Sequence, residues 1–193
     1  MKRIFDLLFS SVGLFIFSPI ILFACLGIYY QDKHSPFYIA KRIGKNGKSF
    51  NMIKLRSMII NAEKNKVDST SSNDPRITKI GKIIRKLKLD ELSQLFNVFI
   101  GDMSVVGPRP HMLSHTEMYA NRVDKFMVRH FVKPGITGLA QISGYRGEVE
   151  TDKDIIGRVR YDIFYIENWS IFLDIKIIIQ TIIKAVKGDE KAY

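Results

Sequence analysis

Asp90 and Glu91 are adjacent carboxylates, and the bases around them make them the residues best suited to chemistry in this sequence. Arg85 precedes Asp90 by five positions, Arg109 sits in the rigid run Pro108-Arg109-Pro110, and Lys54 and Arg56 close a short apolar stretch. A carboxylate can attack phosphorus or hold magnesium against a diphosphate, while guanidinium and ammonium groups take the charge on phosphate oxygens. Taken alone, the pair has a plainer reading, because acids in a first helical turn complement the helix dipole and free backbone N–H groups. The surrounding cations turn the balance towards phosphoryl chemistry.

Other chemistries find little support. His111 and His115 lie four apart, but there is no His-Glu-x-x-His and no evident third ligand, so both read as structural or surface histidines. Gly44 and Gly47 do not make a phosphate loop, and neither Gly-x-Gly-x-x-Gly nor a Walker pattern occurs. Cys25 is the only cysteine, which excludes an internal disulfide and a thiolate zinc site. Among 193 residues, 30 Lys and Arg against 19 Asp and Glu give a net charge of +11, fitting nucleic acid, anionic lipid or phosphorylated substrates. The basic residues are not interleaved with exposed aromatics, which argues against nucleic acid.

The elements that must position the acids follow from hydrophobic spacing. Leu89, Leu92, Leu95, Phe96 and Phe99 form one stripe of a helix that the acidic pair opens and Gly101 ends, leaving Asp90, Glu91, Gln94 and Asn97 opposite. Ahead of it, Asp74-Pro75 can start a helix capped by Asn73 or Asp74. That helix carries Ile77, Ile80, Ile83, Ile84 and Leu87 on one side and Lys79, Lys82, Arg85, Lys86 and Lys88 on the other, a pattern suited to a membrane surface or to an ordinary protein surface. Runs 37–40 and 50–55 flank Asn46-Gly47 and predict a β-hairpin. Residues 61–73 are polar and read as a surface loop. Gly101 to Pro110 reads as turn and extended backbone, a helix is expected over 112–131, and Lys133-Pro134-Gly135 breaks it. Gly135, Gly138, Gly144 and Gly147 then suit a backbone that approaches a ligand. Residues 171–187 are isoleucine-rich but too short and too charged to span a bilayer, so they belong in the core or, preferably, half-buried at a lipid interface.

The N-terminal run decides localisation. Leu7 to Tyr30 carries no charged side chain, beyond the ~18 apolar residues that suggest a spanning helix. Ser18-Pro19 falls in its middle, where proline removes a hydrogen bond and forces a kink. Lys2 and Arg3 precede the run and Lys33, Lys41, Arg42, Lys45 and Lys48 follow it, so the positive-inside rule puts both ends in the cytoplasm. A helix broken at Ser18-Pro19 that enters one leaflet and returns satisfies both facts. A single kinked span is the alternative; a secretory signal fits less well, because the run stays apolar past Cys25 with no Ala-x-Ala site. The expected fold is α+β, mostly α: a re-entrant membrane helix over 1–32 and one catalytic domain over 33–193, with a short β-hairpin and interfacial amphipathic helices.

Four segments carry a resemblance. Lys54-Leu55-Arg56-Ser57-Met58, the run from Leu89 to Val98, the run from Gly101 to Pro110, and the run from Lys133 to Gln141 resemble, in order, the motifs of the monotopic phosphoglycosyl transferases, or bacterial sugar transferases. Ser93 stands where many relatives have proline, and Lys86-Leu87-Lys88 where a Thr-Ser pair is more usual. The resemblance implies that Asp90 attacks the sugar-linked phosphate of a UDP-sugar, giving a phosphosugar-enzyme intermediate and UMP, and that undecaprenyl phosphate then takes the phosphosugar. It implies Glu91 as the partner that orients Asp90 or, with it, binds Mg²⁺. Substrate contacts are expected from Lys54, Arg56, Arg85, Gln141 and Arg146 and from the nucleotide-binding turn Pro108-Arg109-Pro110. It further implies the bacterial inner membrane, with the catalytic domain on the cytoplasmic face, contact with membrane lipid, and compatibility with a homodimer. Pro110-His111-Met112, the run from Gly144 to Glu148 and the ending Lys191-Ala192-Tyr193 are similar to enzymes that begin exopolysaccharide repeats, favouring UDP-glucose, then UDP-galactose. A membrane-tethered basic scaffold without turnover is the alternative from another class.

Overall fold

The structure is a computed structural model that describes residues 1–60, 74–147 and 149–187. The expected surface loop over 61–73, Asn73 as a cap, Glu148 and the C-terminal Lys191-Ala192-Tyr193 lie outside the described residues. The described chain is mostly helical, with an N-terminal apolar helix and a small two-stranded hairpin.

Helix α1 spans Lys2–Asp32 and is long and apolar enough to cross a membrane. Its backbone stays helical through Ser18-Pro19, where a break was expected. Pro19 has no N–H to give the carbonyl of Phe15, and the Ser18 hydroxyl donates to that carbonyl instead, at 2.9 Å. Both ends of α1 are tied to the rest of the chain. Lys2 donates to Asp174 at 2.7 Å, Arg3 to the carbonyls of Val98 and Phe99 at 2.6 and 2.7 Å, and at the far end Asp32 accepts from Arg56 at 2.6 Å. Between them Asp6 is buried and accepts from the Ser104 hydroxyl and the Val105 N–H. The middle of the helix stays uncovered: Phe15, Ile16, Phe17 and Ile20 are exposed.

Strands β1 (Phe37–Ile43) and β2 (Ser49–Leu55) form the expected antiparallel hairpin, with Ala40 opposite Met52. Asn46 and Gly47 make the turn at φ 57 and 73, a left-handed conformation these two residue types accept cheaply. Helix α2 (Lys79–Lys86) begins later than Asp74-Pro75 suggested. Asp74 cannot cap it, because its carboxylate is taken by the backbone N–H and guanidinium of Arg76; Thr78 caps instead, accepting from the Gly81 N–H. Gly81 is required there: a Cβ would stand 1.9 Å from the Ser57 carbonyl oxygen.

A 3-10 turn (Leu89–Glu91) leads into α3 (Gln94–Ile100), where Leu95 of the expected stripe is buried but the rest of the facing differs. Gln94 and Asn97 are buried, while Phe96, Phe99 and Ile100 are exposed. Strands β3 (Ser104–Val106) and β4 (Gly135–Thr137) pair in parallel. The helix expected over 112–131 is two pieces, α4 (Leu113–Ala120) and a 3-10 turn (Phe126–Phe131), divided where Lys125 takes φ 59. Short α5 (Leu139–Ile142) follows, then α6 (Asp152–Glu167), opened by a reciprocal Thr151/Asp154 cap, and α7 (Ile171–Lys187). The main core gathers Ala40 and Met52 from the hairpin, Val98 from α3, Met103, Val105 and Val106 around β3, Tyr165 from α6 and Ile177 from α7. One face of α7 thus lies in the core, while Phe172, Ile179, Ile182 and Val186 stay exposed on another.

Candidate active site

Local forces set the acidic pair in place. Lys88 turns the chain at φ 55, and Leu89 and Leu92 then pack with Ile21, Ile28, Leu55 and Ile84, which leaves Asp90 and Glu91 to point away from that cluster. Two polar side chains of the following segment grip the edge of β2. Ser93 donates to the Ile53 carbonyl at 3.0 Å, while Asn97 accepts from the Ile53 N–H at 2.8 Å and donates to the Asn51 carbonyl at 2.7 Å. The inward turn of α3's polar face therefore satisfies backbone groups of the hairpin that burial would leave unpaired. This docking sets Lys54, the neighbour of Ile53, 3.7 Å from Asp90.

Glu91 is held on both sides. One carboxylate oxygen accepts from Arg109 at 3.0 Å and the other from Arg146 at 2.6 Å, joining residues 18 and 55 positions away. Burial works against its charge, but Arg109, Arg146 and Lys54 outweigh it and bring its carboxyl down to about 2. Asp90 is different: among the described residues its one ionic partner is Lys54. Burial pushes its carboxyl above the ordinary value, Lys54 opposes the shift and the charge of Glu91 adds to it. Lys54 is itself lowered by burial and supported by the two acids. The arrangement is one fixed carboxylate between two guanidinium groups, beside a second, half-buried carboxylate that carries a single long contact.

Residues 1–188 match the family described as bacterial sugar transferase. The chain belongs to that family. It is 46% identical over 183 residues to a UDP-glucose:undecaprenyl-phosphate glucose-1-phosphate transferase of Klebsiella pneumoniae, covering 95% of this chain and 39% of that protein. It is 41% identical over 196 residues to the exopolysaccharide production protein ExoY of Rhizobium meliloti, covering 94% and 83%. A UDP-N-acetylgalactosamine-undecaprenyl-phosphate N-acetylgalactosaminephosphotransferase of Aeromonas hydrophila is 36% identical over 188 residues, covering 97% and 44%. The chain spans about two fifths of the length of the Klebsiella and Aeromonas proteins.

In this member of the family Asp90, Glu91, Lys54, Arg109 and Arg146 come together, and the remaining expected site residues are placed differently. Arg85 donates to the Ser57 hydroxyl at 2.8 Å and favours the ionised form of Asp90 without pairing with it directly. Arg56 is committed to Asp32 and the Ser35 carbonyl, so its guanidinium fastens the end of α1. Gln141 is buried and donates to the Ile136 carbonyl of the preceding strand β4. Pro108 and Pro110 line, with Arg109, Gly44, Arg129 and His130, a crevice whose cavity volume is only ≈ 10 Å³. Two of the glycines expected to approach a ligand approach backbone instead: a Cβ at Gly135 would lie 2.1 Å from the Gly107 nitrogen, and one at Gly138 2.3 Å from the Gly107 oxygen. His111 is buried edge-on to Tyr119, with one ring nitrogen 3.1 Å from Arg158; burial and the neighbouring arginines push its pKa well below the ordinary value, which agrees with a structural histidine.

Sequence reasoning passed over Arg129, Arg158 and Asp162, all of them buried. A signal was present: Arg158 and Asp162 are charges one helical turn apart, set among Ile155, Val159 and Ile163. Among the described residues no group of three or more His, Cys, Asp or Glu side chains forms a metal-ligand set. The acidic pair alone is a small donor set, and both oxygens of Glu91 already accept from arginine, so Asp90 is the carboxylate with coordination to spare. Such a set suits a magnesium ion that takes most ligands from substrate phosphate and water.

Proposed function

We propose that this chain transfers a hexose 1-phosphate from a UDP-sugar to undecaprenyl phosphate with release of UMP, as the first membrane step in exopolysaccharide or related glycoconjugate synthesis. The observation that carries the proposal is the contrast within the acidic pair: Glu91 locked between Arg109 and Arg146, and Asp90 beside it with Lys54 at 3.7 Å as its one ionic partner among the described residues. A partly desolvated carboxylate with one weak partner can leave that partner to form a bond, whereas either oxygen of one bound by two guanidinium groups must first give up a charged hydrogen bond. Asp90 is therefore the nucleophile and Glu91 the group that fixes the arginines.

An Asp90 oxygen attacks the sugar-bearing phosphorus of the donor, and the bond from that phosphorus to the bridging oxygen breaks, its electron pair leaving with UMP. An oxygen of undecaprenyl phosphate then attacks the same phosphorus, and the carboxylate of Asp90 departs. Arg109 and Arg146 take charge on the donor's phosphates, with Arg85 on the near side. Mg²⁺, held by Asp90 and by Glu91 if an arginine yields an oxygen, would neutralise the diphosphate. UDP-glucose is the favoured donor, in line with the Klebsiella relative, and UDP-galactose comes next.

The acceptor is a lipid, and α1 suits a site at the bilayer surface. Both its ends are tied to the rest of the chain while its apolar middle is uncovered, which supports a helix that dips into the cytoplasmic leaflet of the inner membrane and returns. The exposed apolar residues of α3 and α7 would rest in the same interface.

The decisive experiment measures UMP release from UDP-glucose with Mg²⁺ and undecaprenyl phosphate. Wild-type chain is expected to release UMP and Asp90→Asn to lose that release while keeping its melting temperature. Undiminished release by Asp90→Asn overturns the nucleophile, and no release from any UDP-sugar by the wild type favours the basic scaffold.

A further inference from the structure

The two arginines that hold Glu91 come from separate loops, and both loops are seated on the same two turns of α6. Arg109 is reached through Arg129, which is 2% exposed. Arg129 donates to the Asp162 carboxylate at 2.8–3.0 Å and also to the backbone carbonyl of Arg109 at 2.8 Å. Its fork therefore ties the Pro-Arg-Pro turn to α6. Arg146 is reached through its neighbours: Arg158 donates to the Gly147 carbonyl at 2.7 Å, and the Tyr145 ring lies over Gly157 and pairs with Tyr161 at 5.5 Å between centroids. A Cβ at Gly157 would fall 2.4 Å from that ring, so glycine is what lets Tyr145, and with it Arg146, lie against the helix.

We infer that residues 157–162 of α6 are a positioning element for the reaction, setting the separation of Arg109 and Arg146 through Arg129 with Asp162 and through Arg158 with Gly157. In this role each of the four residues acts through the backbone or neighbour of Arg109 or Arg146. A buried arginine whose donors hold both a carboxylate and a carbonyl fixes a loop more narrowly than apolar packing, because its planar fork admits few orientations. Two clamps on one rigid helix convert a pair of loop-borne cations into a site of defined width, which reactions on a diphosphate need. The inference rests on the proposed reaction, in which Arg109 and Arg146 meet the donor phosphates.

The test uses the full chain in detergent or nanodiscs, with Gly157→Ala, Arg158→Lys and Arg129→Lys. Gly157→Ala is the sharpest variant. Alanine is the better helix former by about 1 kcal/mol but displaces the Tyr145 ring, so a purely packing role for Gly157 predicts a lower melting temperature with kinetics unchanged where the chain is folded. The positioning role predicts a retained melting temperature with kcat/KM for the UDP-sugar down roughly 10- to 100-fold, the cost of a small misplacement at a reacting site. Double variants then separate the routes. Adding Gly157→Ala or Arg158→Lys to Arg146→Ala should cost nothing further, and adding Arg129→Lys to Arg109→Ala should cost nothing further, whereas Arg129→Lys combined with Arg146→Ala should multiply the two losses. Multiplied losses within each route, or losses explained wholly by a lower melting temperature, overturn the inference. The same cycles read on affinity for inorganic diphosphate do not depend on turnover: no loss of affinity in any single variant also overturns it, whereas failure of the wild type to release UMP bears only on the proposed function.

Discussion

Replacing Glu91 by glutamine keeps the shape of the side chain but removes the charge between Arg109 and Arg146. In the folded chain its carboxyl lies at about 2, against an ordinary value of 4.5, and the side chain is only 14% exposed, so solvent screens the contacts weakly. At about 1.4 kcal/mol for each tenfold change in proton affinity, the difference is worth on the order of 3 kcal/mol of folding stability. Because the folded-state value is the lower one, this stability is fully present above pH 4.5 and drains away as pH falls towards 2. For a chain of 193 residues, each kcal/mol moves the melting temperature by about 2–4 °C, so Glu91→Gln should melt roughly 6–12 °C below wild type at pH 7. Thermal unfolding in one detergent, followed by circular dichroism at pH 7, 5, 4 and 3, gives the comparison. The gap should hold from pH 7 to 5 and narrow at pH 4 and 3, where the carboxyl takes up a proton in the unfolded chain while the folded one stays ionised. Equal melting temperatures at pH 7, or a gap that stays constant down to pH 3, would refute the idea that the Glu91 charge organises the two arginines before substrate arrives.

Three further outcomes are expected. Asp6→Ala leaves the buried Val105 N–H and Ser104 hydroxyl without their acceptor, which should cost about 1–3 kcal/mol for each and lower the melting temperature accordingly. Gly81→Ala forces a methyl group against the Ser57 carbonyl, so α2 must shift, costing about 1–3 kcal/mol and loosening the Arg85–Ser57 bond; a melting curve that overlays wild type would contradict the close approach. In a Cys25→Ser background, single cysteines placed before Lys2 and at Lys45 should react with an impermeant thiol reagent from the cytoplasmic side alone, and labelling from opposite sides rules out a returning helix.

Much of this molecule is legible in local pattern. The hairpin around Asn46-Gly47 follows from a turn dipeptide that tolerates left-handed backbone, and α1 from an uncharged apolar run that only a helix can carry through lipid. Spacing misled where polar atoms competed. Asp74 looked like a cap but binds Arg76, and the Leu89–Phe99 stripe looked like a buried face, yet α3 turns Gln94 and Asn97 inward. Leu95 is buried as the stripe implied, and the difference has a physical cause: the edge of β2 presents an N–H and a carbonyl that Asn97 pairs, while Phe96, Phe99 and Ile100 stay outside.

The acidic pair shows where the boundary falls. By itself the sequence determined that two carboxylates stand next to each other among bases, on a chain with a long apolar N-terminal run, because residue type and neighbour spacing are properties of the chain alone. Only the tertiary structure decided which acid is locked by two arginines and which carries one long contact to Lys54. Arg109 and Arg146 lie 18 and 55 positions from Glu91 and reach it through turns seated on α6, whereas Arg56, close to Lys54 in sequence, is drawn off by Asp32. A guanidinium pairs with whichever acceptor the fold sets within about 3 Å, and that choice depends on how loops distant in sequence are packed.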